Sequence, residues 1–266
     1  MMNDKEFNNS YNELLSKLNT ICSNMDSNKC NIFSSEHFIL RHWMDNYDVF
    51  KGLSRLISLF NKTNIDLNLF FLIRNQGDII TSYYYENSIH KALAELSINA
   101  NEIIKYFQTG TNNNTETSKI IFDNFNYAKL YNYLSSHLKP DKIKIYLYED
   151  LVNNKEKFYS DLSNCLEIKI SETRKLLYNR KINVTADKLK YKRLNYLIYE
   201  NLKQPKNLFN NFFRKLNSLK FLFEEGKNKG YKKIKQNSQL IKKYYREDCL
   251  ELEKKLHLGL DQFNYF

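Results

Sequence analysis

The sequence predicts an α/β fold, with a parallel sheet towards the front of the chain and a helical part behind it. Two short runs, residues 67–73 and 142–148, read as strands. Amphipathic helical patterns precede, separate and follow them, which is the alternation that a parallel sheet with crossover helices needs. A third observation concerns bulk: 266 residues that are 42% apolar, with 20 Tyr, 18 Phe, six Gly and two Pro, suffice for one sizeable core. That composition excludes collagenous, disulfide-stapled and disordered classes.

Each element has its own justification. Tyr11, Leu14, Leu15, Leu18 and Ile21 recur at helical spacing, and small and polar residues over 23–31 end the pattern. Residues 31–34 predict a short strand. Phe50, Leu53, Ile57 and Phe60 share one face of a helix over 50–60. The run 67–73 is too short for a stable helix and is closed by Arg74, Asn75, Gln76, Gly77 and Asp78, so it predicts a strand buried on both faces. Helical periodicity resumes with Asp78 as the expected N-cap and runs to about residue 97. The polar, Thr/Asn-rich stretch 109–119 predicts a loop, and 122–138 a helix stopped by Pro140. Polar and apolar residues alternate from Lys142, as in a strand, and Glu149-Asp150 leads into a helix through Leu166. Beyond residue 187 the pattern is helical before Pro205, over 206–225 and after Gly230, with the Gly-Lys-Asn-Lys-Gly stretch 226–230 as a basic loop. No repeat divides the chain: residues 1–266 form a single domain, of which 187–266 are a helical, basic subregion.

The formal net charge of +11 is regional. Residues 181–243 hold 17 Lys/Arg and four Asp/Glu, whereas the other 203 residues carry 24 basic and 26 acidic groups. A surface that basic suits an anion: a nucleic acid, a lipid headgroup, a phosphorylated cofactor or an acidic glycan. No nucleic-acid recognition motif is present, which makes a nucleic-acid partner unlikely. Cys22, Cys30, Cys165 and Cys249 are too sparse for a disulfide framework and form no C-x-x-C pair, and the five histidines are scattered. Reduced thiols and no metal are the expectation. The opening residues carry polar and acidic groups where a signal peptide needs a positive charge and an apolar run, and no stretch approaches 18 apolar residues. A cytoplasmic protein with no transmembrane segment is expected.

The stretch 70–85 carries the chemistry: Phe-Phe-Leu-Ile ends in Arg74, a short turn comes next, and Ser82 sits on the first turns of the next helix. Strand C-termini in open α/β sheets face the ligand crevice. A helix N-terminus favours negative charge, and Arg presents a fork of donors to phosphate. The plainer alternative is an Arg paired with a neighbouring carboxylate and a Ser inside a helix.

Strand, R-x-x-x-x-x-x-x-S and then aromatics resembles the segment with which sulfotransferases bind the 3′-phosphate of the donor PAPS (3′-phosphoadenosine 5′-phosphosulfate). Residues 132–151, N-Y-L-S-S-H-L-K-P-D-K-I-K-I-Y-L-Y-E-D-L, resemble the later strand of that family. Asn183-Val184-Thr185 with Leu194-Asn195, and Tyr244-Tyr245-Arg246-Glu247-Asp248 with the ending 260–265, are similar to the closing parts of bacterial, glycan-modifying members. The resemblance implies a P-loop-NTPase-like three-layer α/β fold with a central, mainly parallel sheet and a helical C-terminal part. It also implies PAPS as co-substrate without a metal, a carbohydrate or other hydroxyl acceptor, and Arg74 and Ser82 as the contacts to the 3′-phosphate. Gln76 stands where the family commonly has Pro.

One departure matters. The family binds the 5′-phosphosulfate on a Gly-containing loop after its first strand, and this chain has no Gly before Gly52. Backbone amides of such a turn cradle the sulfonated phosphate. Two expectations arise. The chain begins inside the domain, which is favoured because residues 10–36 fit the part of the family's domain that succeeds its first helix, or it is a degenerate, non-catalytic member. The latter would bind a nucleotide or polyanion through its basic helical tail. On the acceptor side, Phe33-Ser34-Ser35-Glu36-His37 resembles an S-S-E sequence of bacterial relatives. It makes Glu36 the first and His37 the second candidate for the base that takes the acceptor proton. Glu36 reads equally as a helix cap or an ion-pair partner.

Overall fold

The computed structural model describes residues 4–24, 49–63, 65–87, 99–113, 115–177 and 226–266. These residues are mainly helical around a two-stranded parallel sheet, β1 (Leu69–Ile73) beside β2 (Ile143–Leu147), paired in register from Leu69↔Ile143 to Ile73↔Leu147. Leu69, Phe71 and Ile73 point into the core, but Phe70 is 45% and Leu72 37% exposed. The expected burial of β1 on both faces is therefore corrected. Its period-2 alternation buries one face, and the outer face meets Tyr146, whose ring centroid lies 5.2 Å from that of Phe70.

In chain order the helices are α1 (Asp4–Ser23), α2 (Val49–Phe60), α3 (Gln76–Asn87), α4 (Ala100–Thr109), α5 (Thr115–Asp123) and α6 (Tyr127–Ser135). After β2 come α7 (Tyr148–Asn153), α8 (Lys155–Leu166), α9 (Ile170–Leu177), α10 (Gly226–Gln236) and α11 (Ser238–Leu256). The long α11 is the spine: Ile241, Tyr245, Cys249 and Leu252 form its buried face, against α3, α4 and α6. Around it Tyr106, Phe107, Phe122 and Tyr245 make a ring cluster with centroid separations of 4.8–5.9 Å, in the range of offset and edge-on contacts. A smaller cluster of Leu151, Phe158 and Tyr159 packs under Tyr146 and Tyr148 on the far side of β2.

Several expected boundaries change, each for a local reason. The stretch 109–119 is a loop only as far as residue 113; α5 starts at Thr115, whose hydroxyl exchanges hydrogen bonds with the Asn112 backbone. The single helix expected over 122–138 is two, broken at 124–126. Phe122, Phe125 and Tyr127 are all almost fully buried, and a straight helix would set Tyr127 about 140° from Phe122. The helix expected from Glu149 to Leu166 is also two. Asn154 breaks it, its side-chain amide on Asp150 Oδ1 while Lys157 pairs with the other oxygen of the same buried carboxylate. Asp78 is not a cap: α3 starts at Gln76, and Asn75 Oδ1 accepts the Gly77 N–H.

The stretch 226–230 is not a loop but the first turn and a half of α10. There Gly230 permits a close approach, because a Cβ would stand 2.4 Å from the Tyr84 hydroxyl of α3. The strand expected at 31–34 and the helices expected before Pro205 and over 206–225 lie outside the described residues. Among the described residues no helix is long and apolar enough to cross a membrane.

Candidate anion site at the strand ends

The parallel register decides which side chains meet where the strands end. Ile73 pairs with Leu147, so the next residues, Arg74 and Tyr148, fall side by side, followed by Asn75 and Glu149. The Arg74 guanidinium lies 4.8 Å from the centroid of the Tyr148 ring, a cation–π contact. Its backbone is fixed on both sides. The Arg74 carbonyl accepts the Tyr127 hydroxyl at 2.8 Å, and the following N–H, of Asn75, donates to Glu149 Oε1 at 2.9 Å.

Glu149 is the carboxylate that register brings nearest to this turn, and both of its oxygens are engaged: Oε2 accepts the Tyr265 hydroxyl at 2.9 Å. Arg74 forms no ion pair among the described residues. The alternative of an Arg merely paired with a neighbouring carboxylate is thus not what the turn displays. The half-buried Arg74 rests its guanidinium on an aromatic ring.

Beneath the turn lies a polar layer. The Asn75 side-chain amide donates to the Asn264 carbonyl, and the buried Gln76 amide donates to the Phe125 carbonyl and to Cys249 Sγ at 3.2 Å. Gln76 therefore faces the core and joins α3 to α11. Burial raises the Tyr127 phenol well above its ordinary value. It raises Tyr265 likewise, with the Glu149 charge adding to the effect. The Cys249 thiol is pushed up to about 12, again mainly by burial. Burial favours the neutral form of all three.

Ser82 stands at the seventh position of α3, half-buried, on the same face as the exposed Asp78 one turn earlier. The opposite face, with Gln76, Ile80, Tyr83 and Tyr84, is buried. Arg74 and Ser82 therefore lie on the strand end and on the open side of the helix that succeeds it, and no direct hydrogen bond joins them. Glu36 and His37 lie outside the described residues. Lys227 and Lys229, in the stretch expected to be a basic loop, belong to α10.

The residues that the sequence pattern does not single out are Tyr148, Glu149, Tyr127 and Tyr265. For the first two a signal is present: Tyr-Glu directly follows one strand as Arg-Asn follows the other, and parallel pairing in register makes these neighbours. Tyr127 and Tyr265 reach the turn only through tertiary packing. No group of three or more His, Cys, Asp or Glu side chains able to hold a metal occurs among the described residues. No family model, no curated protein and no solved structure matches the chain.

Proposed function

We propose that this chain is a sulfotransferase-like protein of the P-loop-related, three-layer α/β class, which transfers a sulfuryl group from PAPS to a carbohydrate hydroxyl. PAPS supplies the activated sulfuryl group. Arg74 and Ser82 hold its 3′-phosphate, the guanidinium by its N–H donors and the serine by its hydroxyl. Glu36, with His37 second, takes the proton of the acceptor hydroxyl as that oxygen attacks sulfur. The single observation that supports this reading most is the state of Arg74: fixed through its backbone, stacked on Tyr148, and without a carboxylate partner among the described residues. An immobilised, unneutralised Arg at the C-terminal end of a parallel strand is an arrangement that favours an oxyanion from outside the chain.

Calorimetry with PAP, the desulfated product, tests the nucleotide site, with AMP as the control that lacks a 3′-phosphate. The wild-type chain is expected to prefer PAP over AMP. Arg74→Ala should weaken PAP binding about ten- to hundredfold, the range for a lost hydrogen bond to a charged group, and leave AMP unaffected. Absence of PAP binding by the folded chain, or equal binding by Arg74→Ala, sinks the site. PAP binding without sulfuryl transfer in a coupled assay assigns the chain to the non-catalytic form of the fold.

A further inference from the structure

Between Gly226 and Arg246 the chain has eight Lys/Arg and no Asp/Glu, and four of these cations lie exposed on one side of a helix pair. Gly230, Ile234, Ile241, Tyr245, Cys249 and Leu252 are buried. Their helical spacing carries across the one-residue break at Asn237, so α10 and α11 present a continuous opposite face. That face carries Lys232, Lys235, Gln236, Gln239, Lys243, Arg246 and, at its end, Glu247, all exposed. None of these four cations forms an ion pair among the described residues, so along about 20 Å of helix four positive charges stand against the single carboxylate of Glu247. The side of α11 that meets the Arg74 turn is the other one: Ser238, half-buried and on the face of Ile241 and Tyr245, packs on the first turn of α3, where a Cβ on Gly77 would stand 3.3 Å from the Ser238 Cβ.

We infer that this stripe is a docking surface for a linear acidic polysaccharide. On the function proposed above, on which this assignment rests, that polysaccharide is the acceptor. The pattern of the stripe favours this occupant: two pairs of cations, Lys232/Lys235 and Lys243/Arg246, separated by the amides of Gln236 and Gln239. Paired cations take anionic groups, and primary amides between them exchange hydrogen bonds with hydroxyls, as a polymer of charged and hydroxylated sugars requires. The apolar side of both helices is committed to the core, so the pair cannot insert into a membrane surface. The exposed aromatic at the edge of the stripe, Tyr244, packs its ring on Tyr106, Phe107 and Tyr245 rather than standing free for the bases of a single-stranded nucleic acid to stack on.

The test uses the full chain and a fluorescent, fully sulfated oligosaccharide of about ten sugars. A neutral oligosaccharide of the same length and DNA of matched charge, single- and double-stranded, serve as comparisons. The sulfated probe is expected to bind with an affinity that falls steeply with salt. Exchange of Lys232, Lys235, Lys243 and Arg246 for Gln should weaken it at least tenfold, with an unchanged circular dichroism spectrum and unchanged PAP binding. Equal binding by the wild type and this variant overturns the proposal. DNA bound as tightly as the glycan at the same salt also overturns it, in favour of a nucleic-acid surface. Failure of PAP to bind while the glycan binds through the stripe leaves the docking surface standing and removes the sulfuryl-transfer reading. The reverse result removes the surface alone.

Discussion

At the scale of single residues, position matters more than identity. Gln76 lies two residues after Arg74, yet its side chain turns into the core and meets Cys249, whereas Arg74 stays at the surface of the turn. The consequence for Cys249 is direct. Only the thiolate reacts with alkylating reagents, and a thiol pushed up to about 12 is ionised in about one molecule in ten thousand near pH 8, besides being fully buried. Iodoacetamide at that pH is expected to modify the half-buried Cys22 and Cys165 first and to reach Cys249 only when the chain unfolds, as read by peptide mass mapping over time. Labelling of Cys249 at the rate of Cys22 in the folded chain would contradict its burial.

At the scale of elements, helix ends are satisfied from far away in sequence. Helix α6 has Asn126 at its N-cap without a side-chain capping bond; instead the carboxylate of Asp248, on α11, accepts the Ala128 and Lys129 N–H groups at 3.1 and 3.2 Å. Asp248→Ala should cost about 1–2 kcal/mol, as for loss of a cap. The pH dependence has a definite sign. Burial raises the Asp248 pKa above its ordinary value of 3.8, with the backbone N–H groups opposing only part of that. The folded state therefore holds this proton more tightly than the unfolded chain. Its contribution to stability is largest below the unfolded value and is lost as pH rises through the raised folded value. Urea midpoints at about pH 7 and about pH 4 should show the wild type gaining on the non-titrating Asp248→Asn as pH falls. A gain in the opposite direction would refute the assignment.

Such distant caps also mark what a sequence can show at this scale. β1, β2 and α2 were legible because the apolar run, the polar–apolar alternation and the 3.6-residue spacing are local patterns. The break at 124–126 was not, since the amphipathic pattern continues through it and only the burial of Tyr127 requires the turn. The helical state of 226–230 was hidden by two glycines, one of which answers to the approach of Tyr84 rather than to a turn. Of the anion site, Arg74 and Ser82 were legible as a spacing on a strand and a helix. The reservation of Glu149 for Asn75 and Tyr265 was not, because it depends on pairing between segments 74 and 116 residues apart.

At the scale of the whole molecule, residues 260–266 are part of the foundation of the site and of the main core. Leu260 and Tyr265 are fully buried in the same cluster as β1, α3, α6 and α11, and the Tyr265 hydroxyl completes the coordination of Glu149 under the Arg74 turn. A buried ring with a hydrogen bond to a carboxylate contributes in two separable ways. Tyr265→Phe removes the bond and keeps the packing, an expected loss of about 1.5–3 kcal/mol. Tyr265→Ala also leaves a cavity, for an expected loss of about 3–5 kcal/mol. If these residues belong to one cooperative core, both variants must move the entire unfolding transition, with far-ultraviolet circular dichroism and tyrosine fluorescence giving the same midpoint. A main transition that stays in place, accompanied by a separate minor transition at lower denaturant, would show instead that the 260–266 segment is an appendage that opens independently. The Arg74 turn would then lose its support without loss of the fold.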